Sequence, residues 1–130
     1  MVLQVLMALG SARQVESRIL CGPQWAVVEE TAELHALISS GQVGWAKPEA
    51  TPSASAYAAM QSLAEDTPIL VTTADHALLS AQVVDYFCAE ARARGLDLAA
   101  GLARYEIVEA AYPRVRRTVL RLSDEIGRAH

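Results

Sequence analysis

The 130-residue chain is poor in aromatic side chains, with one phenylalanine, four tyrosines and two tryptophans. It also lacks an apolar run long enough to cross a bilayer. Its most apolar stretch, Met1 to Leu9, is too short to span and carries no basic residue ahead of it, so neither a signal peptide nor a membrane anchor is supported. A cytoplasmic protein is expected. Basic charge is scarce too: 11 Lys and Arg face 15 Asp and Glu, giving a net charge of −4 and a pI near 5.3. That balance provides no electrostatic footprint for general nucleic-acid binding. There are only two cysteines, Cys21 and Cys88, without CxxC spacing or a histidine cluster. They read as buried free thiols in a reducing compartment. Internal repeats, low-complexity tracts, a Gly-x-Ser-x-Gly elbow and an HExxH helix are all missing, so the common hydrolase constellations are not supported.

What remains is an apolar chain, 52% hydrophobic and 20% charged, of a size suited to one globular domain with a real core. Its organising stretch is Pro68 to Ser80. Ile69-Leu70-Val71 reads as a buried strand, Thr72-Thr73-Ala74-Asp75-His76 as a polar turn, and Ser80 as the start of a helix. Val83, Val84, Phe87, Cys88 and Ala91 continue that helix at the right spacing, with Gly95 as its stop. Upstream, Val2, Leu3, Leu6, Met7 and Leu9 mark a first helix. Ser17 to Cys21 reads as a strand closed by Gly22-Pro23, Trp25 to Val28 as a further extended piece, and Thr31 as the cap of a helix ending at Gly41. Gln42 to Ala46 is expected to be a strand. Thr51-Pro52-Ser53 opens a helix running to about Ala64. Leu96 to Leu102 is expected to be another strand, 104–113 a short helix and turn, and Val119-Leu120 part of a last strand. Strands alternating with helices predict a three-layer α/β/α sandwich with a mostly parallel sheet covered on both faces.

In open sheets of that kind ligands bind beyond the carboxyl ends of the strands, which directs attention to the turn after Val71. Asp75 offers a hard oxygen ligand suited to Mg²⁺, although an aspartate after a strand also serves as a simple turn former. His76 could contact phosphate or remain a solvated side chain. Ser53 and Ser55 stand where free helix N–H groups favour an anion, and simple capping is the plainer role for at least one of them. Arg114, Arg116, Arg117 and Arg121 form a basic cluster in an otherwise acidic chain. The arginine fork matches phosphate, while a solvated edge is the alternative.

The apolar strand followed by Asp75, the helix start Thr51-Pro52-Ser53-Ala54-Ser55, the segment Gly95 to Leu102, and Tyr112-Pro113-Arg114-Val115-Arg116-Arg117-Thr118 occur in an order that resembles the MobA-like NTP transferases. The resemblance covers most of the chain. It implies a Rossmann-like, GT-A-type fold and transfer of a nucleotidyl group from an NTP to a phosphorylated or sugar-like acceptor with Mg²⁺. It further implies Asp75 as metal ligand and catalytic centre, Ser53, Ser55, Thr73 and His76 beside the nucleotide, and Arg116 and Arg117 toward an acceptor phosphate. The family's glycine-rich loop and following basic residue have no counterpart before residue 20, and the Asp-Gly turn common after the last expected strand is absent. A partial domain over residues 1–130, truncated at both ends and inactive alone, is therefore expected. Loss of a central strand would expose sheet edges, making self-association an alternative function. A GT-A glycosyltransferase using a nucleotide sugar is the third reading.

Overall fold

The computed structural model describes residues 1–113. The chain divides into two compact units, Met1–Asp97 and Leu98–His130. In the first unit the elements follow as α1 (Val2–Ser11), β1 (Ile19–Cys21), α2 (Trp25–Glu30), α3 (Ala32–Ser39), β2 (Gly44–Ala46), α4 (Pro52–Met60) and α5 (Ala81–Ala93). The described part of the second unit contains α6 (Tyr105–Ala111), the short helix expected there.

Among the described residues the sheet has two parallel strands, with Ile19 opposite Gly44, Leu20 opposite Trp45 and Cys21 opposite Ala46. Parallel pairing requires a crossover, supplied by α2 and α3. The register is extended at both ends, by Gly44 N–H donating to the Arg18 carbonyl at 2.8 Å and Gly22 N–H donating to the Ala46 carbonyl at 2.9 Å.

Helix α1 is the structural centre of this unit because two neighbouring positions face two different cores. Val5, 3% exposed, packs with Ala12, Leu79 and Val84. Leu6, 4% exposed, packs with Val28, Leu34 and Val43, flanked by Leu20 and Trp45. Consecutive residues on a helix point about 100° apart, so this is what a broad apolar face achieves when it is sandwiched rather than laid on one surface. Polar contacts fix the same helix at its far end. Arg18 Nη1 donates to the Leu6 carbonyl at 2.9 Å, placing a cation near the negative helix terminus.

Three expectations about secondary structure are corrected. Trp25 to Val28 belongs to a helix rather than an extended piece. Trp and adjacent Val side chains favour strands in isolation, but Val28 is completely buried against Leu6, Leu34 and Val43, and that packing overrides local preference. Residues 69–71 form no strand. Among the described residues β1 pairs with β2 alone and residues 68–72 make no backbone hydrogen bond, so no ladder forms there although Leu70 packs beside the Val5 core. Leu96 to Leu102 is likewise not a strand. Leu96, Leu98 and Leu102 are exposed, and the boundary between the compact units falls between Asp97 and Leu98. The expected strand around Val119-Leu120 lies outside the described residues.

Candidate functional site

The polar turn lies between two helix starts. Leu79 packs with Val5 near the beginning of α1 and with Val84 near the beginning of α5. Ser80 caps α5, its hydroxyl accepting from Val83 N–H at 3.3 Å. Gln4, in the first turn of α1, donates from Nε2 to the Ala77 carbonyl at 2.8 Å. Further along, Gln14 N–H donates to Asp85 Oδ1 at 2.9 Å and Arg92 Nη1 donates to Gln14 Oε1. The Gln4 bond ties the turn to the start of α1, and the last two tie the segment after α1 to α5. The first turn of α1 thus meets the segment at Ala77, and α5 begins where the segment ends, at Ser80; a helix amino terminus carries the positive end of its dipole.

Within that turn His76 N–H donates to the Thr73 carbonyl at 3.4 Å and Leu79 N–H to the His76 carbonyl at 3.1 Å. The side chains of Thr73, Asp75 and His76 are exposed. Among the described residues the Asp75 carboxylate has neither a hydrogen-bond partner nor an ion-pair partner. Among the described residues no three His, Cys, Asp or Glu side chains gather into a metal cage. One free carboxylate fits Mg²⁺, which keeps several waters and completes its shell with phosphate oxygens, better than it fits an ion that demands an all-protein site.

The two candidate serines occupy different environments. Thr51 Oγ1 caps α4 by accepting from Ala54 N–H at 3.2 Å and lies 3.2 Å from Ser53 Oγ. Ser53 is exposed, whereas Ser55 is 5% exposed. Ser55 Oγ donates to the Thr51 carbonyl at 3.0 Å and accepts from Glu49 N–H at 2.8 Å, tying the loop before α4 to its first turn. Its single hydroxyl proton is thus committed within the chain. Replacing Ser55 by Ala would leave the Glu49 N–H unmatched, while the Thr51 carbonyl keeps its bond from the Ser55 backbone N–H, so S55A is expected to lower stability by about 1 kcal/mol, and S53A by much less. Urea denaturation of the two variants measures the difference. Thr31 shows a related departure: it stands at the start of α3 as expected, but its hydroxyl donates back to the Val27 carbonyl at 3.2 Å instead of capping α3.

The other expected contributors are not brought to this turn in the described structure. Arg114, Arg116, Arg117 and Arg121 lie outside the described residues. Cys21 is half-buried, and burial raises its thiol pKa, in keeping with an inert packing thiol. A shallow open depression of about 340 Å³ is lined by Arg13, Gln14, Gln82, Asp85, Tyr86 and Ala89. Asp85 there receives the Gln14 N–H bond and a 3.5 Å contact from the largely solvated Arg13. Its polar groups chiefly brace the segment after α1 against α5.

Sequence reasoning missed Gln4 and Asp85. Each carried a signal: Gln4 is the only polar residue between Met1 and Leu9, and Asp85 is the only acidic residue in the first half of α5. A polar side chain embedded in an apolar face commonly has a specific partner.

No curated protein and no solved structure matches the chain. No helix among the described residues is long and apolar enough to cross a membrane. A family model described as the MobA-like NTP transferase domain matches residues 1–129. With the helix–turn–helix start around Asp75 in place, that match over nearly the whole length shows that the chain belongs to the MobA-like NTP transferase family.

Proposed function

We propose that the turn 72–76 is the nucleotide and metal end of a nucleotidyl-transfer site, with Asp75 as the Mg²⁺ ligand. The observation that carries this reading is an exposed carboxylate, without a partner among the described residues, in a turn that the first turn of α1 touches at Ala77 and that leads into α5. Helix N-termini favour phosphate charge, and the carboxylate supplies the hard oxygen that a phosphate-bound Mg²⁺ takes from protein. When bound, Mg²⁺ neutralises negative charge on the triphosphate during attack by the acceptor. Thr73 and His76 present a hydroxyl and an imidazole to the same phosphates, and Ser53 offers its exposed hydroxyl to the nucleotide at the start of α4. Ser55 acts there by holding the loop rather than by direct contact. Arg116 and Arg117 are assigned to the phosphate of a phosphorylated or sugar-like acceptor on chemistry alone.

The 130 residues contain no glycine-rich loop with a following basic residue before position 20. Such a loop supplies most of the backbone donors that cradle a triphosphate. This chain by itself is therefore expected to bind Mg²⁺·NTP weakly and to turn nothing over.

A thermal-shift panel of NTPs and nucleotide sugars, each with and without Mg²⁺, tests the proposal, since a ligand raises the melting temperature only by binding the folded state. A shift with millimolar NTP that requires Mg²⁺ is the expected result. A larger shift with a nucleotide sugar would replace nucleotidyl transfer by glycosyl transfer. The absence of any shift would favour self-association, which the unpaired outer edge of β1 and the unbonded backbone of residues 68–72 support. Light scattering would then find a dimer.

A further inference from the structure

The turn that carries Asp75 is held in place by few directional contacts. Among the described residues, 68–72 make no hydrogen bond, and the bonds at His76 and Leu79 are local to the turn itself. Leu70 and Leu79 anchor its two ends in the Val5 core, but apolar contacts are non-directional and leave the intervening residues free to shift. Among the described residues one hydrogen bond crosses from another element to residues 68–79: Gln4 Nε2 to the Ala77 carbonyl, 2.8 Å, between residues 73 apart in sequence. Gln4 lies on the first turn of α1, the helix fixed on both sides by Val5 and Leu6. Its amide is therefore referenced to a helix packed against two cores.

The geometry points to Gln4 as a positioning residue that sets the place of the Asp75 turn relative to the start of α1. This role rests on the nucleotidyl-transfer reading for its consequence but not for its geometry. Holding the Ala77 carbonyl restrains the backbone two residues from the Asp75 carboxylate. A small displacement at a positioning contact is enough to spoil a metal or phosphate geometry. The glutamine amide suits the task because it donates without bringing a charge that would compete with the metal or the phosphates.

The test uses the full 130-residue chain, ¹⁵N-labelled, with Mn²⁺ alone as a paramagnetic stand-in for Mg²⁺. In the parent protein Mn²⁺ is expected to broaden the amides of residues 74–77, and D75A to abolish the effect. Q4A removes the donor. Because a single exposed hydrogen bond is lost, amide exchange within residues 76–79 should accelerate about fivefold. The Mn²⁺ concentration needed for half-maximal broadening should rise by about the same factor. Q4K, which keeps a donor at similar reach, should retain slow exchange where Q4A does not. Unchanged exchange in Q4A would overturn the clamp. Accelerated exchange with unaltered Mn²⁺ broadening would reduce Gln4 to a structural contact and overturn the positioning role. If Mn²⁺ broadens nothing in the parent protein, the Asp75 metal assignment fails and Gln4 has no metal to position, whereas the exchange data still report on the clamp itself.

Discussion

Replacing Leu6 by Ala is expected to remove about 2–5 kcal/mol of folding stability, the range for emptying a buried leucine site. The reason is its position. Leu6 is the contribution of α1 to the core that includes Val28, Leu34 and Val43, and all three partners come from elements that hold the sheet or its crossover. The neighbouring Val5 faces the other core, so rotating or tilting α1 to refill the space would unpack that second side. A site that cannot collapse suffers the cavity cost as well as the transfer cost. Since small domains are stable by only about 5–15 kcal/mol, the loss is a large share of the total. At roughly 4–8 °C per kcal/mol for a unit of this size, the melting temperature should fall by about 10 °C or more. The adjacent Met7 is 68% exposed, and M7A should alter stability by no more than about 0.5 kcal/mol. Thermal and urea unfolding of the pair measure the contrast. Equal effects would show that α1 does not separate two cores.

The parts of this structure that were legible in the sequence are those in which local signals and packing agree. The stripe Val2, Leu3, Leu6, Leu9 predicts α1, and Ser80 with the Val84–Cys88 spacing predicts α5 and its cap. Thr51-Pro52 predicts the start of α4. The parallel strands β1 and β2 are also found where apolar residues meet a Gly-Pro turn and a tryptophan. Other features were hidden for definite reasons. The β-rich composition of Trp25 to Val28 concealed a helix because only the tertiary environment of Val28 reveals which face is buried. Ile69-Leu70-Val71 has the composition of a strand, but a strand also needs a ladder partner, and composition carries no information about one. The turn after it was recognisable from Thr-Thr-Ala-Asp-His. The bond that holds it, from Gln4 to Ala77, joins distant positions and could not be paired from sequence. Nor could the two serines of α4 be ranked before Ser55 was seen buried and bonded in both directions.

Removing the charge of Asp75 is the second change with a large expected effect. Asp75→Asn conserves size and turn propensity while converting one carboxylate oxygen into an amide donor, which repels rather than binds a cation. The Asp75 side chain has no partner among the described residues, so the fold should lose little and the melting temperature without ligand should stay within about 1–2 °C of the parent value. Mg²⁺-dependent nucleotide binding, in contrast, should weaken on the order of a hundredfold, because the protein contributes few other oxygens to the ion and water alone would replace the lost ligand. The separation of the two quantities is the point of the substitution: a structural aspartate would alter stability, and a metal ligand would alter binding alone.

The most direct measurement is a map of amide shifts in the ¹⁵N spectrum as Mg²⁺ and the NTP giving the largest thermal shift are added to the parent protein and to Asp75→Asn. The account predicts perturbations concentrated in residues 2–4 and 72–80, at the two helix starts and the turn between them, and their loss in the variant. Perturbations centred elsewhere, for example around Trp25 and Trp45, or an undiminished pattern at 72–80 in Asp75→Asn, would contradict it.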